Sequence, residues 1–247
     1  MDKLVSIITP LYNSEKFVSG TIQSVQKQTY DNWEMIVVDD CSTDNGALVV
    51  GEYARQDKRI KLIRLSQNSG AAIARNTAIR EATGSYIAFL DADDQWFENK
   101  LMYQLEFMSA NGGCFSFTNY EQMTEDGALL DKVIQCPTVL TYHQQLSYNH
   151  VGCLTAIYDT EKLGKVYMPL IRKRQDYGLW LSILRKGVVG LGLQKCLARY
   201  RIRQDSLSAN KLAMLRWNWL LYRNIEKLSI LSSSYYLMQN IFAKIIR

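Results

Sequence analysis

The chain has 247 residues, of which 47% are hydrophobic and 21% charged, and its formal net charge is +5. This composition excludes a disordered chain, and the length fits one large α/β domain or such a domain with an appendage. The five cysteines are widely spaced and only two histidines accompany them, so neither a disulfide framework nor a zinc site is indicated. The first residues lack a signal-peptide pattern and no apolar window approaches about 18 residues, so we expect a cytoplasmic protein.

Strand-like and helix-like segments alternate, with short connections, over the first part of the chain. The pattern predicts strands over Val5 to Thr9, Trp33 to Val38, Ile60 to Leu65 and Tyr86 to Leu90. It predicts helices over Glu15 to Lys27, Asp44 to Arg55 and Ala71 to Thr83, the first capped by Ser14 and the third ended by Gly84. Repeated β-α-β units imply a mostly parallel central sheet with helices on both faces.

Three acids, Asp91, Asp93 and Asp94, follow the fourth predicted strand directly. Side chains at i and i+2 of a strand end point to the same side, so Asp91 and Asp93 can share a ligand. Paired carboxylates suit a hard divalent cation such as Mg²⁺ or Mn²⁺, which can in turn hold a diphosphate. Taken alone, the motif is much more typical of a solvated polar loop, and only its combination with the other motifs favours a site.

Polar residues also follow the other three predicted strands, where ligands bind in parallel α/β sheets. They are Thr9, Pro10, Tyr12 and Asn13 after the first, the segment 39–44 after the second, and the segment 68–70 after the third. Four polar strand ends on one edge predict a site the size of a nucleotide. Ser42, Thr43 and Asp44 also fit as helix caps, whereas Asp40 is better placed to accept from an imide N–H or a ribose hydroxyl. Arg75 is either a solvated side chain or a phosphate ligand.

The second half of the chain contains one helix that begins with an acidic residue. Leu179, Ile183 and Leu184 give the segment that starts at Arg174 an apolar face, and Asp176 lies in its first turn. By itself, Asp176 could simply complement the helix dipole.

After Ala209 the composition shifts to aromatic and basic residues at helical spacing. The apolar positions of the first predicted helix are Leu212, Leu215, Trp219, Tyr222, Ile225 and Leu228, and a second helix follows from Tyr235 to Ile246. Two such amphipathic helices could lie on an anionic membrane surface or could pack back on the preceding domain. Nucleic acid is not expected as a partner, because the basic residues are scattered and no nucleic-acid module is recognised.

The motifs together resemble family 2 glycosyltransferases with the GT-A fold. The resemblance covers residues 4–105 and rests on Val-Ser-Ile-Ile-Thr-Pro-Leu-Tyr-Asn, Val-Val-Asp-Asp-x-Ser-Thr-Asp, Asn-x-Gly-x-x-x-Ala-Arg-Asn and Phe-Leu-Asp-Ala-Asp-Asp-x-Trp, in that order. It implies a GT-A domain over residues 1–208, with a nucleotide-sugar half at 1–110 and an acceptor half at 111–208, followed by a helical tail at 209–247. Cys41 replaces a residue that is often Gly in the family.

The resemblance also implies roles for individual residues. Asp91 and Asp93 would hold the ribose and a diphosphate bridged by Mn²⁺ or Mg²⁺. Asp176, in a Gln-Asp pair, would be the general base. The further nucleotide-sugar ligands implied are Thr9, Pro10, Tyr12, Asp40, Gly70, Arg75, Ala92, Arg201 and Arg203, the last two from a segment that runs to Ser206 and Ser208, and the acceptor ligands are Gln175 and Trp180.

The activity implied is an inverting, metal-dependent transfer of a hexose from a UDP-sugar. Glucose or galactose is expected as the hexose, and a lipid-diphosphate-linked N-acetylhexosamine as the acceptor, joined by a β-1,3 bond in bacterial surface polysaccharide synthesis. The enzyme would lie on the inner face of the cytoplasmic membrane. A pyrophosphorylase or Rossmann dehydrogenase would need a Gly-rich loop after the first strand, which is missing. A catalytically silent relative is the remaining alternative.

Overall fold

The centre of the chain is one sheet with helices packed on both of its faces. The computed structural model describes residues 3–203 and 211–246, except for the side chains of 211–213 and 244–246. The strands are β1 Val5–Leu11, β2 Trp33–Asp39, β3 Ile60–Arg64, β4 Tyr86–Phe89, β5 Gln95–Trp96, β6 Phe115–Met123, β7 Leu129–Ile134, β8 Val139–Leu140, β9 Ile157–Asp159 and β10 Gly190–Arg201. The helices are α1 Glu15–Gln26, α2 Gly46–Gln56, α3 Ala71–Glu81, α4 Lys100–Ala110, α5 Tyr142–Ser147, α6 Thr160–Leu163, α7 Gln175–Leu184, α8 Lys211–Leu220 and α9 Ile230–Ile246.

The sheet order is β3-β2-β1-β4-β9-β6-β10-β5, with β7 paired to β6 and β8 paired to β10. The first four strands of this order are parallel neighbours, as their alternation with helices predicts. β9 is antiparallel to both β4 and β6, and β6 is parallel to β10, so β1, β2, β3, β4, β6 and β10 all run in one direction. The prediction of a mostly parallel α/β sheet is confirmed.

Each central strand is buried on both faces, which explains its uninterrupted apolar sequence. In β1, Ile7 belongs to the core beneath α1, α2 and α4, whereas Ile8 belongs to the core beneath α3 and α7. In β2, Met35 and Ile36 divide in the same way. The sheet therefore separates two apolar layers. Polar residues are found at the carboxyl ends of its strands.

Two helix ends differ from the prediction. Ser14 occupies the N-cap position of α1, but its hydroxyl donates to the Tyr12 carbonyl at 3.1 Å instead of accepting from the helix. α3 ends at Glu81, before the predicted Thr83, and Gly84 is not its cap. Gly84 is needed because a β-carbon there would lie 2.6 Å from the Leu4 carbonyl oxygen, so the glycine lets this turn pack against β1.

The C-terminal helices pack back on the domain. A third apolar cluster joins Leu146, Tyr177 and Leu181 to Leu221 and Tyr222, which lie in a π-helical turn after α8. The Tyr177 and Tyr222 hydroxyls are 3.1 Å apart, and both donate to the Leu146 carbonyl, at 2.9 and 2.7 Å. The tail is therefore fixed to α5 and α7, and α7 carries Asp176 in its first turn.

α9 leaves one side uncovered. Its residues Leu231, Tyr235, Met238 and Phe242 are 84%, 57%, 58% and 59% exposed, and their spacing places them on one stripe of the helix. Within the described residues, no helix has both the length and the hydropathy needed to cross a membrane. The predicted boundary between 208 and 209, with Ser206 and Ser208, lies outside the described residues, as do the side chain of Leu212 and those of residues 244–246.

Candidate active site

Asp40 fixes the loop that follows β3. It is 3% exposed, and its two carboxylate oxygens accept from the backbone N–H groups of Ser69 and Gly70 at 2.7 and 2.8 Å. Gly70 has φ 89° and ψ 156°, a conformation open almost only to glycine. Asp40 and Gly70 therefore shape the rim of the site at the start of α3, a role that sequence analysis did not predict for Asp40.

The loops after β1 and β2 are joined to each other. The Asn13 side-chain oxygen accepts from the Thr43 backbone N–H at 2.9 Å, and the Ser42 hydroxyl accepts from the Asn13 backbone N–H at 3.1 Å. Cys41, which precedes Ser42, has φ 64°, which is the physical reason that glycine suits this position. These contacts build one wall of a cleft from two separate strand ends.

The three residues predicted to line the base pocket differ in their exposure. Tyr12 is 49% exposed and Pro10 is half-buried, so both can face a ligand. Thr9 is fully buried, and its Oγ1 has no hydrogen-bond partner among the described residues. The Thr9 side chain therefore presents no exposed surface to a ligand, and the assignment of Thr9 to the base pocket stays a prediction.

Each acid of the Asp-x-Asp motif is paired with an arginine. Asp91 Oδ1 accepts from Arg75 Nη2 at 2.5 Å, and Asp93 Oδ2 accepts from Arg203 Nη1 at 3.2 Å. Burial and the neighbouring Asp91 carboxylate raise the pKa of Asp93, while the Arg203 guanidinium opposes this shift. Burial raises the pKa of Asp94 well above its usual range, and Asp93 adds to the effect. Burial, with repulsion between neighbouring carboxylates, thus disfavours the ionised forms of Asp93 and Asp94.

Arg75 joins the acid motif to the helix that carries the candidate base. Its Nη1 donates to Gln175 Oε1 at 3.5 Å while its Nη2 holds Asp91. Burial alone would lower the pKa of Arg75, but the Asp91 carboxylate outweighs this and the pKa is raised, with a smaller contribution from Asp176. Asp176, half-buried in the first turn of α7, therefore lies near the same guanidinium as Asp91.

Several predicted ligands have structural roles. Gln175 is 7% exposed and its amide donates to the Arg172 carbonyl, so it connects Arg75 to α7 and has little surface for an acceptor. Trp180 is fully buried between Phe89 and Phe115, with ring centroids 5.3 and 5.4 Å away. The interpretation of Gln175 and Trp180 as acceptor ligands does not fit these placements, because helix packing turns both side chains inward.

Arg201 and Ala92 are also covered. The Arg201 guanidinium donates to the carbonyl oxygens of Asp93 at 2.8 Å and Glu125 at 2.8 Å, and its backbone N–H donates to Asp94. Ala92 is 3% exposed, so its methyl group cannot contact a ligand. Arg201 thus ties β10 and the β6–β7 turn to the acid motif, which differs from the predicted phosphate contact. The Arg203 side chain remains in a position to contact a phosphate group.

Sequence analysis did not identify two residues near the acids. Cys153, in a 3₁₀ turn before β9, lies close enough to Asp91, Arg75 and Asp176 for all three to influence its pKa, which burial raises. Tyr120, on β6, is influenced in the same way by Asp94 and Asp176. No sequence pattern singles out either residue, because both lie in the region from Gly112 to Gln175 that carries no recognisable motif.

The site suits a divalent cation held partly by its substrate. Asp91 and Asp93 supply carboxylate oxygens, and their side chains are 29% and 23% exposed. No group of three or more His, Cys, Asp or Glu side chains able to hold a metal occurs in the described residues. Mg²⁺ commonly needs only one or two carboxylates when phosphate oxygens complete its shell.

The sheet order, with paired acids and arginines at its carboxyl edge, defines a mostly parallel α/β protein of the kind that binds ligands at that edge. The sequence profile described as "Glycosyl transferase family 2" matches residues 6–158. The chain belongs to glycosyl transferase family 2 and is a glycosyltransferase, so the predicted family and enzyme class are confirmed.

Curated relatives match most of the chain. A Bacillus subtilis protein named for teichuronic acid biosynthesis, TuaG, is 46% identical over 96% of this chain and 94% of its own length. The Escherichia coli enzyme named UDP-Glc:alpha-D-GlcNAc-diphosphoundecaprenol beta-1,3-glucosyltransferase WfgD is 42% identical over 88% of this chain and 85% of its own.

Solved structures share the fold. S. aureus TarS in complex with UDP-GlcNAc aligns with a TM-score of 0.71 at 23% identity, over 94% of this chain and 70% of that one. The mannosyltransferase PcManGT from Pyrobaculum calidifontis, in complex with GDP-Man and Mn²⁺, aligns with a TM-score of 0.71 at 18% identity, over 96% and 70%. The predicted GT-A architecture is confirmed.

Proposed function

We propose that this site transfers a hexose from a UDP-sugar to a lipid-diphosphate-linked N-acetylhexosamine, forming a β-1,3 bond in bacterial surface polysaccharide synthesis. One observation carries the proposal: Arg75 contacts both Asp91 and Gln175, so the acid motif and the helix of Asp176 meet at one guanidinium. The names of WfgD and of a second E. coli relative, WfaP, 38% identical over 85% of this chain, support the lipid-linked acceptor and glucose as the hexose.

Asp176 acts as the general base in this proposal. Its carboxylate is half-buried at the start of α7 and takes the proton from the acceptor hydroxyl as that oxygen attacks C1 of the sugar. The bond from C1 to the diphosphate breaks on the opposite face, so an α-linked donor yields a β-linked product. The leaving UDP takes the electron pair of that bond.

The charges around Asp91 prepare the site for the diphosphate. Arg203 is partly exposed, contacts Asp93 at 3.2 Å and lies over the Phe17 ring, 5.0 Å from its centroid, so a small movement would bring it to a phosphate oxygen. Asp91 and Asp93 would hold Mg²⁺ or Mn²⁺, which when bound neutralises charge on the diphosphate. Tyr12 and Pro10 supply exposed surface for the base, beside the loop that Asp40 fixes.

The proposal is tested by UDP release from the purified chain with a panel of UDP-sugars. The acceptor is a synthetic lipid-diphosphate GlcNAc or GalNAc, and Mn²⁺ or Mg²⁺ is present with and without a chelator. Acceptor-dependent release with one sugar, abolished by the chelator and restored by the metal, is expected. UDP binding without release from any pair would contradict the transfer and favour a catalytically silent relative.

The exposed stripe of α9 provides the membrane contact in this proposal. Its opposite side is fixed to the domain, as the 2.8 Å contact of Tyr236 with His143 shows, so Leu231, Met238 and Phe242 face outward. α9 contains no Asp or Glu and one basic residue, Lys244. An uncharged apolar stripe on a protein of net charge +5 suits an anionic lipid surface. The enzyme would then lie on the inner face of the cytoplasmic membrane, where a lipid-linked acceptor is anchored.

Co-sedimentation with vesicles tests this contact. The parent chain is expected to bind vesicles containing phosphatidylglycerol more tightly than vesicles of phosphatidylcholine alone, and Leu231→Gln/Phe242→Gln to lose the binding with unchanged thermal stability. Unchanged binding by the double variant would contradict the assignment. So would a solution dimer that the double variant dissociates while the parent chain binds no vesicles.

A further inference from the structure

The two arginines at the end of β10 share one aromatic neighbour. The guanidinium carbons of Arg201 and Arg203 each lie over the Phe17 ring, at 5.0 Å from its centroid. Phe17 is half-buried in the first turn of α1, where its backbone N–H donates to the Ser14 carbonyl at 3.0 Å. The same ring therefore lies beside both of the basic side chains that reach the acid motif from β10.

The side of α1 that carries Phe17 packs against the acid motif. Thr21 and Ser24 follow Phe17 at helical spacing, so the three side chains lie on one side of the helix. The Thr21 hydroxyl donates to the Asp94 carbonyl at 2.8 Å, and the Ser24 hydroxyl accepts from the Trp96 backbone N–H at 3.2 Å. These bonds fix α1, and with it the Phe17 ring, relative to the acids.

The two arginines are held differently. Arg201 is 8% exposed, and its guanidinium donates to the carbonyl oxygens of Asp93 and Glu125, each at 2.8 Å. The side chain of Arg203 is 27% exposed, and its hydrogen-bond partner among the described residues is the Asp93 carboxylate at 3.2 Å. Arg201 is therefore committed to the protein, whereas Arg203 keeps exposed surface for a ligand.

An aromatic ring holds a guanidinium in a way that suits ligand binding. The negative face of the ring attracts the cation, but it neither takes up the in-plane N–H donors nor neutralises the charge. A divalent cation at Asp93 would compete with Arg203 for that carboxylate, since both bind its oxygens. The contact with Phe17 does not depend on the carboxylate, so it continues to hold Arg203 when Asp93 has another ligand.

We propose that Phe17 is a positioning residue for Arg203, and that its ring holds the guanidinium where it meets the diphosphate of the nucleotide donor. This inference rests on the proposed transfer and adds the residue that orders the cation. Ordering a long side chain during binding lowers affinity, because its rotamer freedom is lost at that moment. A guanidinium that already lies on the ring avoids most of this cost.

The experiment compares Phe17→Leu, which removes the ring, and Phe17→Tyr, which keeps it, with the parent chain. The matched control is Phe97→Leu. Phe97 is also half-buried beneath an arginine of β10, but Arg199, at 4.4 Å from its centroid, pairs with Glu121 instead of the acid motif. Calorimetry measures the affinity for UDP in the presence of Mn²⁺, and the melting temperature reports folding.

Phe17→Leu is expected to weaken UDP binding by about fivefold, with Phe17→Tyr and Phe97→Leu within about twofold of the parent. In an Arg203→Gln background, Phe17→Leu is expected to weaken binding further by less than about twofold, because the ring acts through that arginine. Unchanged affinity of Phe17→Leu, or the same loss with and without Arg203, would overturn the proposal.

A second substitution keeps the test decisive if Phe17→Leu does not fold. A trifluorinated phenylalanine at position 17 keeps the shape of the ring and weakens its negative face, which is what attracts the cation. It is expected to weaken UDP binding in the same direction with an unchanged melting temperature. UDP affinity equal to that of the parent would contradict a cation–π contact.

NMR of the ligand-free chain separates this proposal from the proposed activity. With isotope label at the arginine Nε atoms, the Arg203 signal is identified by its loss in Arg203→Gln. The ring is expected to displace this signal in the parent, and Phe17→Leu to return it to the ordinary position. A signal that Phe17→Leu leaves in place would refute the contact. A parent chain that gives the displaced signal but binds no UDP would instead contradict the proposed function.

Discussion

Arg75 is the residue whose replacement tests the architecture of the site most sharply. Its guanidinium is 9% exposed and bridges Asp91 Oδ1, at 2.5 Å, and Gln175 Oε1, at 3.5 Å. Arg75→Met keeps most of the aliphatic stem in the helix while it removes both contacts. Asp91 then lacks its ion pair with the guanidinium, and Gln175 Oε1 lacks the hydrogen bond from Arg75 Nη1.

The expected loss follows from these contacts. A hydrogen bond to a charged group contributes about 1.5–3 kcal/mol, and Asp91 is 29% exposed, so water replaces part of what is lost. We expect the free energy of unfolding to fall by about 2 kcal/mol, which for a chain of this size lowers the melting temperature by about 4–8 °C. Arg80→Met, an exposed position on the same helix, is the matched control and is expected to change little.

A double-mutant cycle with Asp91→Asn isolates the pair. Denaturant unfolding of the parent, both single variants and the double variant is expected to give a coupling energy of about 1–2 kcal/mol. Additive effects of the two substitutions, or a melting temperature of Arg75→Met equal to that of the parent, would refute the bridge between the acid motif and α7.

Three further predictions concern a buried lysine, a glycine with positive φ and a buried carboxylate. Lys100 is fully buried, and its Nζ lacks a hydrogen-bond partner among the described residues. Burial lowers its pKa well below the ordinary value, so the folded chain releases this proton at a lower pH than the unfolded chain does. Lys100→Met should therefore stabilise the fold by about 1–3 kcal/mol at pH 7, less at pH 10, in denaturant titrations; an equal gain at both pH values contradicts this. Gly70→Ala should lower the free energy of unfolding by about 1–3 kcal/mol in the same titrations, because residue 70 has φ 89°. An unchanged free energy of unfolding would contradict a backbone conformation that requires glycine. Asp40→Asn replaces one of the two accepting oxygens by an NH2 donor that faces a backbone N–H group, so it should cost a similar amount of stability and weaken UDP binding as measured by calorimetry. Unchanged stability would show that other contacts hold the loop.

The parts of the fold that could be predicted are those with local signals. β1, β2 and β4 are buried on both faces, so their mostly apolar runs between helices were sufficient to predict a parallel sheet. β5, β8 and β9 have two or three residues each, and strands of that length are defined by their partners instead of by their own periodicity.

The residues of the site also fall into those that sequence could predict and those that it could not. Asp91 and Asp93 were predictable because acids at positions i and i+2 of a strand end point to the same side and can share a ligand. The orientation of Gln175, Trp180 and Arg201 was not, since it depends on how α7 and β10 pack on the rest of the domain.

Replacement of Asp176 by Asn tests the central claim most directly. The variant preserves the size of the side chain and removes the base, so acceptor-dependent UDP release is expected to fall by about 100-fold or more, with the affinity for UDP within about twofold of the parent. Asp31→Asn, at an exposed position before β2, is the control and should retain the parent rate. Full activity of Asp176→Asn with the parent's own donor and acceptor would contradict the account.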